Sequence, residues 1–376
     1  MDKSIEIDPV YYDHGRDDYV DSDFASETTS LSSSVYRGVF ENGRRYQTVR
    51  EGASWFPSDE QQFESLEAGH LLCILLDADT DNPLYQAPLK DPKVYTYTQR
   101  QKNHGKPPLT KCKQILDIGT GRGNWAIDVA DIFPNATVRG VDLFPPPGDW
   151  LPPNCIMEVD DVLQEWTWRQ PFDLIHMRQL IGAFTPVEWD GLFAQCYKNL
   201  TPGGWIEQIE GDPRIHCSDS SMAPDSSMVQ FTEAVFRAGQ EWNHPLDTLD
   251  TMRAAMEKAG FVDIHEKSYR WPVGPWARDP TLKEVGRLHY HQWTAGMEGW
   301  GMYLLTKFGV PVPWTKEEVL VLLAKVRKEL QDPHIHMWQY ARRVWGRKPT
   351  EEEEEEKEKE GGKVKSEEVD AKYSAM

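Results

Sequence analysis

The segment Asp117-Ile-Gly-Thr-Gly-Arg-Gly123 places an acid two residues ahead of three alternating glycines, and Asp142 follows 19 residues after the last of them. Gly119, Gly121 and Gly123 let the backbone bend sharply and approach a ligand with no Cβ in the way. Helix N–H groups after Gly123 would sit where an anion or carboxylate is stabilised. A dinucleotide-binding turn has the spacing G-x-G-x-x-G, which is absent here. An acid at Asp117 reaches the ammonium end of a methionine moiety, directly or through water, and has no use against a pyrophosphate. A carboxylate at Asp142 accepts both hydroxyls of a ribose. The letters therefore favour S-adenosylmethionine over a dinucleotide, and methyl transfer is the expected chemistry. The competing reading is a plain tight turn; strand, glycines, helix, strand and acid in one run argue against it.

Further along, Glu158-Val-Asp-Asp-Val162 ends a third strand. Asp160 or Asp161 there meets an adenine amino group, while the Val162 backbone N–H meets a ring nitrogen. Either acid also suits a cap for the next helix, and the two roles divide between them without conflict. Thr120, Leu143 and Met177 complete the expected cofactor contacts. Phe172-Asp-Leu-Ile-His-Met-Arg-Gln-Leu180 reads as a fourth strand whose exit opens over the methyl group. His176, Arg178 and Gln179 are its polar candidates. A hydrogen-bonded core histidine is the plainer reading of His176, and a buried ion pair the plainer one of Arg178, so no general base is assigned. His289-Tyr-His291 and His334-Ile-His336 have an i, i+2 spacing that suits metal binding on a strand. Both fall in helical patterns, so no metal site is expected.

The elements that must hold these residues are strands at 114–118, 137–141, 155–159, 172–177 and 205–210. Helices are expected between them at 124–133, 162–168 and 187–200. Such alternation demands a parallel sheet with right-handed crossovers. An insertion at 215–244 contains a helix, 247–259 is another, and 261–269 is a strand. Helical patterns return at 282–308, 316–330 and 335–345. Ahead of the sheet, Ser58 and Gln61 suggest a capping box. Apolar or aromatic residues then recur at Phe63, Leu66, His70 and Leu71, which predicts an amphipathic helix over 58–77. Residues 78–112, rich in Pro and Lys, read as a linker.

The formal charge of −20 is uneven. Residues 1–33 and 351–372 carry net charges of −7 and −6, so both ends read as solvated, disordered tails. The chain divides as 1–33 acidic tail, 34–112 lid helix and linker, 113–346 cofactor-binding domain with helical additions, and 347–376 acidic tail. An acidic balance argues against direct nucleic-acid binding, which needs clustered Lys and Arg. Cys73, Cys112, Cys155, Cys196 and Cys217 are dispersed, as suits reduced thiols in cytoplasm or nucleus rather than a secreted framework. No signal peptide is read at the N-terminus, and no apolar run nears the roughly 20 residues that span a bilayer.

These residues resemble a class I S-adenosylmethionine-dependent methyltransferase, and the likeness narrows to the fungal LaeA-like family. It rests on Glu41-Asn-Gly-Arg-Arg-Tyr46, Phe56-Pro-Ser-Asp-Glu60, Ile115-Leu-Asp-Ile-Gly-Thr-Gly121 with Trp125, Gly140-Val-Asp-Leu143 and Val159-Asp-Asp-Val162. Phe172-Asp-Leu-Ile-His-Met-Arg178, Leu200-Thr-Pro-Gly-Gly-Trp205 and Gly274-Pro-Trp276 extend it, so that it covers residues 35–346. The resemblance implies a Rossmann-like, mostly parallel, seven-stranded sheet with an N-terminal lid and C-terminal helices. It implies cofactor contacts from Asp117, Gly119, Gly121, Asp142 and Asp161. It also implies that the Tyr36–Tyr46 block closes over the cofactor as part of the lid. Members of that family look like either tailoring enzymes that methylate an O, N or S of small molecules in secondary metabolism or nuclear regulators that associate with velvet-type proteins. Thr48-Val-Arg-Glu51 stands where an aromatic-rich segment is usual, and the long acidic tail is an addition.

Overall fold

The structure is a computed structural model and describes residues 5–8, 38–89, 113–144, 151–356 and 359. Its centre is a sheet of β3 (Gln114–Ile118), β4 (Thr137–Asp142), β5 (Cys155–Val159), β6 (Phe172–Arg178), β7 (Leu200–Cys217), β8 (Val262–Pro272) and β9 (Met337–Arg347). The strand order is β5-β4-β3-β6-β7-β9-β8. The first five strands are parallel, and β9 runs antiparallel between β7 and β8. This is the seven-stranded, mostly parallel sheet that was expected. Ile115, Leu116 and Ile118 are buried, as a strand covered on both faces requires. β3 sits between β4 and β6, so the chain leaves the sheet in opposite directions beside it. The crevice at such a switch point, outside the carboxyl ends of the strands, is where ligands bind.

Helices α1 (Glu60–Leu76), α2 (Asn124–Ile132), α3 (Pro186–Asn199), α4 (Ser227–Glu241), α5 (Thr248–Ala259), α6 (Pro280–Phe308) and α7 (Lys316–Leu330) complete the layers. α4, α6 and α7 share one apolar cluster with Tyr46 and Trp55 from the N-terminal block. α1 lies along α6, tied by the Ser65 hydroxyl donating to the Gln292 carbonyl at 2.9 Å. A hairpin of β1 (Val39–Glu41) and β2 (Arg44–Tyr46) precedes α1. Arg44 grips Asp59 through two bonds of 2.7 Å, and that anchors the hairpin to the start of α1.

Several elements differ from the sequence expectation. The segment read as a helix at 335–345 is β9. Its residues Trp338, Tyr340, Val344 and Trp345 favour an extended chain, and neighbours on both faces erase the alternation that would mark a strand. Residues 162–168 form turns rather than a helix, with Trp166 and Trp168 packed edge-on against Phe172. α1 is not amphipathic in the simple sense. Gln62, Phe63, Ser65, Ala68, His70 and Leu72 are all buried while Leu71 is exposed, because the sheet-side elements and α6 enclose it. Its cap is Asp59, which accepts from the Gln62 N–H, instead of the Ser58–Gln61 box.

Of the expected tails and linker, the described parts are tied down. Ile7 pairs with Ala277, and Lys283 bonds Asp8. Residues 351–356 are helical; Glu353 pairs with Arg347, and the Tyr197 hydroxyl donates to Glu354. In the linker, Leu84, Tyr85 and Ala87 are buried against the sheet. Glu207 accepts the N–H groups of Gln86 and Ala87 at 2.8 and 3.0 Å. Arg343 bridges Glu207 (2.5 Å) and Asp77 (2.8 Å) beneath it, with all three side chains almost fully enclosed. Tyr36 lies outside the described residues.

Candidate functional site

The glycine turn hangs from the end of β4. The N–H groups of Gly119 and Thr120 both donate to the Val141 carbonyl, at 2.8 and 3.1 Å. Gly119 has φ +69°, and a Cβ there would stand 2.3 Å from Leu180, so glycine is required. Asp142 closes the turn. One carboxylate oxygen accepts from Gly121 N–H at 2.9 Å and the other from Phe144 N–H at 3.2 Å. Burial pushes its carboxyl above the usual range, and these N–H groups pull it back. A carboxylate has more acceptor sites than these N–H groups use, and Asp142 lines the crevice.

That crevice is open to solvent, with about 930 Å³ of space in and over it. Gly119, Gly121, Asp142, Leu143, Asp160, Asp161, Val162 and Arg178 all line it. Gln47, Arg50 and Phe56 from the segment after β2 face it from the other side. Arg50 bonds Glu188 at the start of α3 and lies 3.9 Å from Asp161, so this segment is latched across the opening. The lid was expected from the Tyr36–Tyr46 block; Tyr46 itself does not line the crevice but is buried against Tyr303 in the helical cluster. The facing residues come just after it, from Gln47 to Ser58, and include Arg50 of the Thr48–Glu51 stretch noted as a departure.

Asp117 does not reach the crevice. Its carboxylate is buried, accepting from the Thr120 hydroxyl at 2.7 Å and facing His176 Nδ1 at 2.8 Å. Asp117 therefore stiffens the turn from beneath. His176 is stacked on Trp125 at 3.8 Å, and burial holds its pKa down despite Asp117. It is the core histidine of the plainer reading. Thr120, Gly123 and Met177 also stand behind the crevice wall rather than in it, since none lines it. Gly123 is needed for the backbone: its φ of +85° is one that a residue with a side chain rarely adopts. Asp161 caps the turn that replaces the expected helix, accepting from Leu163 N–H at 3.0 Å, while it also lines the crevice. Arg178 lines the crevice with its guanidinium 3.0 Å from His70 Nδ1. His289 and His336 are each held by protein partners, His289 by Pro272 and Gln339 and His336 by Asp219.

The donor set fits a nucleoside joined to an amino acid. The Asp142 carboxylate in the crevice wall suits a diol. A wall of Asp160, Asp161 and Val162 suits the edge of a purine. A cleft cation at Arg178 suits a carboxylate.

Beside this crevice is a second cavity of about 680 Å³, and the two share Phe56, Leu66 and Gln179 as a partition. Gln179 adopts φ +54°, a strained conformation for a residue with a side chain. Glu210, buried midway along β7, fixes it there by accepting the N–H groups of Leu180 and Ile181, both at 3.1 Å. Burial raises the Glu210 carboxyl to about 7. Nothing local in the sequence marks Arg50 or Glu210 as site residues, because each acts on a segment far away in the chain.

A family model described as Methyltransferase domain matches residues 89–266. Methyltransferase pytC of Aspergillus terreus is 36% identical over 315 residues, covering 84% of this chain and 89% of that protein. The secondary metabolism regulator LAE1 of Cochliobolus heterostrophus is 32% identical over 302 residues, covering 79% and 91%. The probable methyltransferase tdiE of Emericella nidulans is 28% identical, covering 65% and 75%. With the sheet order, the glycine turn and Asp142 in place, the chain belongs to the LaeA-like family of S-adenosylmethionine-dependent methyltransferases.

Proposed function

We propose that the chain moves a methyl group to an O, N or S atom of a small molecule in fungal secondary metabolism, inside the cell in cytoplasm or nucleus. When bound, S-adenosylmethionine supplies a sulfonium-activated methyl group, which is why no strong base is needed. Asp142 holds the ribose diol. Asp161 and the Val162 backbone meet the adenine edge. The Gly119 turn and Arg178 receive the amino-acid end. Arg50, latched to Glu188, keeps water from the crevice. Gln179, Phe56 and Leu66 orient the two reactants for in-line displacement, so positioning carries the rate.

The observation that carries this reading is the partition: a donor crevice and an adjoining second cavity share three side chains. No described helix is long and apolar enough to cross a membrane. Cys73, Cys155 and Cys196 are buried free thiols, as suits a reducing compartment. The test is transfer of labelled methyl from S-adenosylmethionine into a fungal extract by the purified chain. Label in the small-molecule fraction is expected. The likeness to LAE1 favours a second reading, a nuclear regulator acting through a velvet-type partner. Label on protein alone, or none at all, would support that reading against the first.

A further inference from the structure

The cavity behind the partition is built unlike the crevice. Trp271, Trp293, Trp300, Phe231 and Val235 are among the residues of its wall, and no Asp, Glu, Lys or Arg lines it. Its one titratable side chain, His289, is fixed by the Pro272 carbonyl, Gln339 and Trp293, and burial lowers its pKa to about 4. At neutral pH the wall is therefore without charge.

Several of its polar groups lack partners: two of its four glutamine amides and the indole N–H groups of Trp271 and Trp300. Gln62 is 1% exposed, and neither its Oε1 nor its Nε2 meets a hydrogen-bonding group of the protein. The Oε1 of Gln292 is also unpaired. Leaving such groups buried and unmatched is costly, so a site that keeps them is complete only when something else bonds them. The backbone of α1 is cut back to admit them. A Cβ on Gly69 would stand 2.7 Å from Gln292 Nε2 and 3.1 Å from Gln179 Nε2.

We propose that this cavity is the acceptor chamber of the methyltransferase described above, and that it takes an uncharged, flat, largely apolar molecule presenting a paired donor and carbonyl, as a lactam or amide does, to Gln62 and Gln292. The inference rests on the methyl-transfer reading for its role, and on the cavity alone for its selectivity. A side-chain amide offers one acceptor and one donor site, which matches such an edge in both directions. A lysine, an arginine or a carboxylate would lose its hydration here with no counter-charge to replace it. The indole and phenyl faces of Trp271, Trp293, Trp300 and Phe231 suit a flat molecule of fused rings.

The test uses the full chain and three probes of similar size: quinolin-2-one, quinoline-2-carboxylate and naphthalene. Binding is read by tryptophan quenching, with and without S-adenosylhomocysteine. Quinolin-2-one is expected to bind about tenfold or more tightly than the carboxylate. Gln62→Leu is expected to weaken quinolin-2-one by about five- to twentyfold and leave naphthalene within about twofold. Gln292→Leu gives the same split and serves if Gln62→Leu melts early. Equal or tighter binding of the carboxylate, equal loss for both neutral probes, or no binding by any probe overturns the proposal. Calorimetry with S-adenosylhomocysteine is read separately; its failure would sink the methyl-transfer reading and leave the chamber's selectivity standing on the probe data.

Discussion

Replacing Asp142 by Asn tests the cofactor site with almost no change in shape. The carboxylate uses one oxygen for Gly121 N–H at 2.9 Å and the other for Phe144 N–H at 3.2 Å. An amide keeps only one acceptor, so its NH2 must face one of those two donors. It also loses the charge that strengthens bonds from the ribose hydroxyls. Each charge-assisted bond is worth about 1.5–3 kcal/mol, and one of the two survives in weaker form. The expected loss is about 2–4 kcal/mol, or roughly 30- to 700-fold in Kd at 1.4 kcal/mol per tenfold. Calorimetry with S-adenosylhomocysteine reads it, and thermal unfolding without ligand shows whether the turn itself is intact. A pH series adds a second reading. Because burial raises the Asp142 carboxyl, affinity of the unaltered chain should fall as acid protonates it from above the usual carboxylate range. The Asn variant should show no such fall. A Kd within about threefold of the original, with an unchanged fold, would remove Asp142 from the ribose site.

Two further outcomes follow from buried charge. Arg343→Met leaves Asp77 and Glu207 buried beside each other without their shared cation, and should cost about 3–5 kcal/mol in denaturant unfolding; a loss below about 1 kcal/mol would show that the cluster is solvated. Glu210, at about 7 against an ordinary 4.5, should contribute stability that is whole below pH 4.5 and lost as pH rises through about 7, a change of about 3 kcal/mol. Glu210→Gln removes that slope, so parallel stability–pH profiles for the two proteins would contradict the assignment.

What the sequence made legible was local. The glycine turn, Asp142 and the alternation of strand and helix are properties of neighbouring residues, and they stand where the spacing put them. Asp117 was read from the same run, yet its carboxylate turns inward because His176 lies 59 positions away on the adjacent strand. Periodicity sees no such partner. β9 was misread for a related reason. Its aromatic residues meet neighbours on both faces, and the period of two vanishes when neither face is wet. The second cavity was beyond reach altogether. Its wall gathers residues from α1, α4, α6, β7, β8 and β9, and Gln62 reads as an ordinary surface amide until the missing partner is seen.

The placement of β9 has a consequence for synthesis. β7 is complete at residue 217, but the strand that covers its outer edge ends at residue 347. Until the ribosome has released that segment, an 18-residue strand offers unsatisfied backbone groups to any passing extended chain. Chaperone demand during translation should therefore peak in this window, and nascent chains stalled before residue 337 should aggregate through β7.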